Sequence, residues 1–175
     1  MKLKIKIKGP YEIKDKANGD WFDLRYAGQE RKFDGFQNIK NDYIDENGKK
    51  RYKKRVTPTV ELLDLGVAMQ LPKGFEAIIA PRSSTPKYFG VLCANSIGVV
   101  DNAFRGNDDV WKFPAFVFGS KSIKPGDRIC QFRIQLSQKA TILQKLKWLF
   151  TSGIKFQYVD KLENDNRGGI GSTGK

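Results

Sequence analysis

Short apolar-alternating runs, each stopped by a glycine or proline turn, recur along this chain and leave little room for a long helix. Gly9-Pro10, Asn47-Gly48, Pro72-Lys73-Gly74 and Lys124-Pro125-Gly126 supply the stops. Between them, segments 2–7, 20–26, 60–70, 75–80, 98–101, 110–118 and 128–135 read as strands. The first is the clearest. Leu3, Ile5 and Ile7 alternate with Lys2, Lys4, Lys6 and Lys8, the period of a strand with one buried face. Strands at this spacing, without helices between them, predict an all-β barrel or sandwich. A length of 175 residues with 39% hydrophobic content suits one domain with its own core.

The same alternation argues against a secretion signal, which would follow its charges with a continuous apolar stretch. No apolar run approaches the roughly 20 residues of a membrane span. The mean hydropathy is −0.52. A cytoplasmic protein is expected, with no membrane partner. Cys93 and Cys130 each lie in an apolar run and read as buried, reduced thiols. The chain has no histidine. That excludes His-based general bases, Cys/His dyads, Ser-His-Asp triads and zinc-deaminase ligand sets. Acid–base chemistry must then use Asp, Glu, Lys, Tyr or water. A net charge of +13 suits a polyanionic partner, either nucleic acid or a nucleotide polyphosphate.

Two segments look like additions to a compact β unit. Segment 28–57 carries nine Lys/Arg against five Asp/Glu, and its Asp45-Glu46-Asn47-Gly48 suits the turn of a basic β-hairpin. The second covers about 138–153. There Ile142, Leu143, Leu146, Leu149 and Phe150 fall on one helical face, away from Lys139, Lys145 and Lys147. Gly153 is placed to end that helix. Its apolar face is expected to pack on the barrel, with a partner-binding face as the alternative. Segment 1–163 then forms one domain. The polar, Gly-rich tail 164–175 is either a loose terminus or an arm whose backbone N–H groups wrap phosphate.

Segment 80–106 is the densest in chemistry. Pro81-Arg82-Ser83-Ser84-Thr85 offers a guanidinium and three hydroxyls in a tight turn, which suits phosphate. Asn95 and Asp101 frame a turn around Gly98, and a carboxylate beside a phosphate site can orient or deprotonate water. Gly126-Asp127-Arg128-Ile129-Cys130-Gln131 is a turn entering a strand. Each piece alone is ordinary. In order, they resemble the five motifs of the trimeric dUTPases, with the closest likeness to the Gram-positive and phage branch. The first motif is Asp20-Trp21-Phe22-Asp23-Leu24, the second Pro81-Arg82-Ser83-Ser84, the third runs from Asn95 to Gly106, the fourth starts at Gly126, and the fifth is the tail.

The resemblance implies a jelly-roll-like β-barrel (the dUTPase-like β-clip) carrying an inserted basic hairpin and one short helix. It implies a homotrimer with sites at subunit interfaces, each closed by a tail. It implies hydrolysis of dUTP to dUMP and pyrophosphate, which keeps dUTP low and supplies dUMP for dTTP synthesis. Asp101 matches the carboxylate that activates water for attack on the α-phosphorus. Asp23 matches a carboxylate that supports Mg2+ through water. Asn95 with the backbone of Gly98 to Val100 matches the uracil-reading hairpin. Phe104 stands where the family usually has Tyr, stacked on deoxyribose. Arg82, Ser83, Ser84, Arg128 and Gln131 match phosphate-side positions or their supports. Arg167, Gly169, Ser172 and Thr173 match the closing arm. Ile170 replaces the Phe that many members use as a lid over uracil. A ring of Trp111 or Phe113 is a candidate substitute, with Lys112 near the expected position and core packing the alternative for those rings.

Other functions compete. A regulatory protein partner, such as a repressor, could use the two additions, and that reading is compatible with the enzyme. A dCTP deaminase shares the fold, but the intact Gly-rich tail and the Asn95/Asp101 pattern argue against it. A general nucleic-acid binder would explain the charge but not five ordered motifs, so no specific nucleic acid is expected.

Overall fold

The computed structural model describes residues 1–14, 19–33, 39–55 and 59–169. Along the chain come β1 (Lys2–Lys8), β2 (Phe22–Arg25), β3 (Arg31–Lys32), β4 (Ile39–Ile44), β5 (Lys50–Arg55), β6 (Thr59–Asp64), β7 (Ala68–Gln70) and β8 (Phe75–Pro81). Helix α1 (Thr85–Phe89) follows, then β9 (Val91–Cys93), β10 (Gly98–Val100), β11 (Lys112–Val117), β12 (Ser122–Ile123) and β13 (Arg128–Leu136). Helix α2 (Ile142–Leu149) and β14 (Gly153–Tyr158) close the order. The fold is all-β with two short helices.

Three sheets enclose one core. Their strand orders are β14-β1-β7, β10-β8-β13-β2 and β6-β11-β9. Among the described residues these sheets do not close into one hydrogen-bonded barrel; they clip around a shared interior. Leu3, Ile5 and Ile7 face that interior fully buried, as the alternation requires. Each such side chain contributes about 1.5–3 kcal/mol of burial free energy. Phe132 of β13 stacks near Phe22, Trp111 and Phe156 and ties all three sheets together.

The expected strand 60–70 is two strands in two sheets. Gly66 breaks it with a left-handed backbone (φ 63°), and its N–H donates to Asp64 Oδ1 at 2.7 Å. A Cβ there would lie 2.4 Å from Ala27 Cβ, so only glycine lets the corner pass. The basic hairpin is present as β4 paired with β5, from Ile39 opposite Arg55 to Ile44 opposite Lys50. Asp45 builds its turn, accepting from the N–H of Asn47 and of Lys49.

Helix α2 forms where the periodicity places it. Thr141 and Gln144 form a capping box, each side chain taking the other's backbone N–H. Its orientation differs from expectation. Ile142, Leu143, Leu149 and Phe150 are about 70–80% exposed, and Leu146 is half-exposed. Trp148 instead packs edge-on to Phe75, with ring centroids 5.4 Å apart. One indole offers more apolar area than any aliphatic of the stripe, so it takes the inward place. Gln144, one turn back, lies over Gly74, where a Cβ would collide with it. Gly153 does not end the helix. Phe150 caps it, and Gly153 opens β14, which runs parallel to β1.

Candidate active site

The candidate residues fall into two groups on the chain. The first gathers around Asp23. In the sheet β8-β13-β2, Ala80, Gln131 and Asp23 are direct cross-strand neighbours, so they share one row. Pro81 and Arg82 continue from that row. A bulge between Arg128 and Cys130 in the pairing with β2 shifts Arg128 out of register. Both guanidiniums then reach the same carboxylate. Arg82 Nε lies 2.9 Å from Asp23 Oδ1, and Arg128 Nη1 lies 3.1 Å from Oδ2. Asp23 is 12% exposed at its side chain, so it holds both arginines in place from below. Gln131 Nε2 donates to the Pro81 carbonyl at 3.4 Å.

Thr85 fixes the turn above this group. Its hydroxyl donates to the Ile129 carbonyl at 2.6 Å and accepts the Arg82 N–H at 3.1 Å, in full burial. Both are backbone groups that would otherwise be left unsatisfied, at about 1–3 kcal/mol each. Ser83 is exposed and Ser84 half-buried, and Ser84 makes no side-chain cap to α1. The hydroxyls beside the arginines are therefore free of that local role.

The second group lines a cleft of about 540 Å³. Asn95, Gly98, Val100, Asp101, Phe104 and the arm residues Arg167 to Gly169 all border it. Strand β10 runs antiparallel to β8 with Gly98 opposite Ile79, so the hairpin lies close against the sheet. Ser96 takes a left-handed turn (φ 64°), and Asn95 Oδ1 accepts the Cys93 thiol at 3.0 Å. Burial raises the Cys93 thiol pKa, and burial raises that of Cys130 well above the ordinary thiol value, so both remain S–H groups. Cys130 is fully buried as expected, while Cys93 is only half-buried; neither forms a disulfide. Asp101 follows β10. Its Oδ1 accepts the Ala103 N–H at 2.8 Å, and its Oδ2 meets Arg167 Nη1 at 2.5 Å. The cleft is largely apolar with a few polar groups at fixed places, the usual make-up of a small-molecule site.

None of Asp23, Arg82, Ser83, Ser84, Arg128 or Gln131 borders the cleft. On one chain the arginine group and the apolar cleft are separate. Of the two candidate rings, Trp111 borders the cleft and Phe113 does not. Trp111 and Phe113 are core residues, 1% and 0% exposed, and Lys112 reaches the cleft while pairing with Asp64 at 2.9 Å. Ile170, Ser172 and Thr173 lie outside the described residues. Asp109 was not singled out in the sequence, yet it is buried against the arm; its signal was an acidic pair, Asp108-Asp109, in a strongly basic chain.

The donor set also bears on a metal. Both Asp23 oxygens already meet guanidiniums, and no cluster of three or more His, Cys, Asp or Glu occurs among the described residues. That fits a divalent cation carried mainly by phosphates and waters, with Asp23 as an outer acceptor, and not a protein cage.

An all-β fold with an arginine group and a carboxylate-edged apolar cleft suits a protein that handles a small anionic ligand. The dUTPase family model matches residues 51–173. The chain is 40% identical over 176 residues to the SPbeta prophage-derived deoxyuridine 5'-triphosphate nucleotidohydrolase YosS of Bacillus subtilis, covering 98% of this chain and 99% of that one. It is 32% identical over 117 residues to the corresponding enzyme of Escherichia phage T5, covering 65% of this chain and 68% of that one. The fold is similar to the Streptococcus mutans dUTPase structure, with a TM-score of 0.53 at 16% identity over 73% of this chain and 86% of that one. The dUTPase of Staphylococcus aureus phage phi11 gives the same TM-score at 9% identity, over 79% and 93%. The chain belongs to the dUTPase family. No described helix is long and apolar enough to cross a membrane.

Proposed function

We propose that this dUTPase cleaves dUTP between the α- and β-phosphates, with Asp101 as general base, in a site completed by neighbouring copies in a homotrimer. The observation that carries this reading is the separation of the two groups. The cleft has a base and an apolar seat but, among the described residues, only Arg167 and Lys112 as cations, while Arg82 and Arg128 gather elsewhere on the chain. Placing one copy's Arg82, Arg128, Ser83, Ser84 and Gln131 opposite another's cleft supplies the anion contacts that the cleft lacks.

In that arrangement Asn95 and the backbone of Gly98 to Val100 hydrogen-bond the uracil edge, and Phe104 stacks on the deoxyribose. Asp101 takes a proton from water as the water oxygen bonds to the α-phosphorus. The bond to the bridging oxygen breaks, and pyrophosphate leaves. Arg82 and Arg128 hold the phosphates in line, where positioning and electrostatics supply most of the rate. Mg2+ bound to the triphosphate would neutralise its charge, with Asp23 accepting hydrogen bonds from metal-bound waters. The arm, including Arg167, Gly169, Ser172 and Thr173, closes the site. The setting is the cytoplasm.

Purified protein with Mg2+ is expected to convert dUTP to dUMP and pyrophosphate, with UTP and dCTP consumed at least about 10²-fold less efficiently, as buried polar discrimination allows. Pyrophosphate release from UTP at a similar rate, or deamination of dCTP, would contradict the reading.

A regulatory partner remains the second reading, favoured by the exposed apolar stripe of α2 and by the separate pairing of β4 with β5. Both belong to the proposed insertions, about 28–57 and 138–153, outside the domain's motifs. A partner docked there leaves the catalytic clusters untouched, so the two readings coexist.

A further inference from the structure

We propose that the outer face of the sheet β14-β1-β7 binds the phosphate backbone of double-stranded nucleic acid, without reading its sequence. The alternation that buries Leu3, Ile5 and Ile7 turns Lys2, Lys4, Lys6 and Lys8 to the other face. Alternate strand residues stand about 6.5 Å apart, so this row spans roughly 20 Å. At the paired positions the neighbouring strands add no acid. Lys4 stands across from Lys155 in the parallel pairing with β14, and Lys6 lies between Gln157 of β14 and Gln70 of β7. Lys4 opposite Lys155 is a like-charge pair, which weakens a sheet unless a counter-charge covers it.

A depression of about 410 Å³ opens on this face. Lys4, Lys6, Lys73, Arg105 and Lys147 border it, and no Asp or Glu does. It shares no lining residue with the cleft around Asp101. Lys6 pairs with Glu163 at 2.9 Å, and among the described residues no carboxylate pairs with the other four cations. Two local devices gather these charges. The Pro72-Lys73-Gly74 turn, closed by the Phe75 N–H on the Pro72 carbonyl at 3.2 Å, leaves Lys73 exposed. Trp148 anchors α2 on Phe75, which sets the preceding Lys147 at the rim. The helix therefore brings a cation of its own to the face.

The chemistry selects the occupant. Lysine heads are point charges, which attract phosphate without imposing the fixed fork of an arginine. No Phe, Tyr or Trp ring lines the depression, whereas single-strand binders stack bases on such rings. Its apolar lining is only Leu71 and Pro72, and Leu71 is 1% exposed, so a free nucleotide finds no seat for its base. A duplex keeps its bases stacked inside and presents about one charge per 1.7 Å of its axis. The row of lysines meets that backbone, and the depression takes its projecting phosphates. Contacts to phosphate alone carry no sequence information.

The test is fluorescence anisotropy of the purified protein with a labelled mixed-sequence DNA duplex across a salt series. Log affinity should fall linearly with log salt at a slope of about −4, the value for roughly four or five neutralised phosphates. Lys4→Gln/Lys73→Gln/Lys147→Gln should flatten the slope to about −1, roughly one unit per lysine. All three side chains are exposed, so the fold should persist, and circular dichroism checks it. If the triple variant misfolds, Lys73→Gln and Lys147→Gln, each alone and outside β1, should each flatten the slope by about one. Lys32→Gln/Lys49→Gln/Lys50→Gln removes the same charge from exposed positions elsewhere and should leave the slope near wild type. Equal flattening by this control would mean that net charge alone attracts the duplex, and would overturn the proposal. So would absence of binding at about 50 mM salt, a slope near zero, or tighter binding of a single strand of equal length.

Discussion

Asp101→Asn is expected to lower dUTP turnover by about 10²–10⁴-fold, the usual weight of a positioned general base. Nucleotide affinity should change little. The residue is held through its side chain and its backbone. The Ala103 N–H fixes Oδ1 at 2.8 Å, and the Phe104 N–H bonds the Asp101 carbonyl at 3.2 Å. Asparagine keeps the shape and can keep the Ala103 bond, but its amide cannot take a proton from water. Nothing nearby is placed to substitute. The chain has no histidine. Asp109 is saturated by backbone N–H donors, and Asp108 is tied to Asn166. Single-turnover assays paired with calorimetric dUTP binding separate chemistry from affinity. Near wild-type turnover would remove Asp101 from the mechanism, and lost binding would give it a different role.

The strands that sequence revealed are those in which one period rules. β1 alternates lysine and aliphatic without exception, and β13 alternates polar and apolar from Gln131 to Leu136, so their buried faces were legible. The hairpin turn at Asp45 to Gly48 was legible because its residues favour one local geometry whatever surrounds them. What escaped depended on distant partners. Gly66 reads as a tolerated glycine inside a strand until Ala27 packs against it. Strand β14 carries no clean alternation, because its stability comes from parallel pairing with β1 at the other end of the chain. Helix α2 was found by its period but turned the other way, because a count of aliphatics ignores how much area one tryptophan can cover.

The site was legible in composition but not in geometry. Motif order pointed to Asp23, Arg82, Asn95 and Asp101 together, while the fold places them in two groups on one chain. In the proposed site that proximity belongs to an assembly, which the pattern of a single chain does not encode. Asp109 was missed for a related reason. A buried carboxylate held by backbone N–H groups has no charged partner to betray it, and two of its three donor residues lie 58 and 59 residues away. The lid stayed open in the sequence because Trp111 and Phe113 look alike there whether they face a ligand or the core.

Phe132→Ala is expected to destabilise the folded protein by about 3–5 kcal/mol, the range for truncating a buried aromatic. Phe132 is 0% exposed, and its ring lies 5.4 Å from Phe22, 5.5 Å from Trp111 and 6.1 Å from Phe156. These neighbours come from β2, the segment entering β11, and β14. One void would therefore unsupport three sheets at once, and rigid strands can close it only in part. The loss also reaches the site. Phe22 precedes Asp23, Gln131 precedes Phe132, and Phe22 and Phe132 face each other in register. Loosening that pair frees the carboxylate that holds Arg82 and Arg128. The apparent melting temperature should fall by roughly 6–20 °C, taking about 2–4 °C per kcal/mol for a chain of this size. KM for dUTP should rise even at temperatures where the variant stays folded. Phe132→Leu keeps most of the volume and should recover much of both losses. If the alanine variant melts within a degree or two of wild type, the aromatic node is not what binds the sheets together. If it melts early but keeps its KM, the coupling from core to arginine pair is absent.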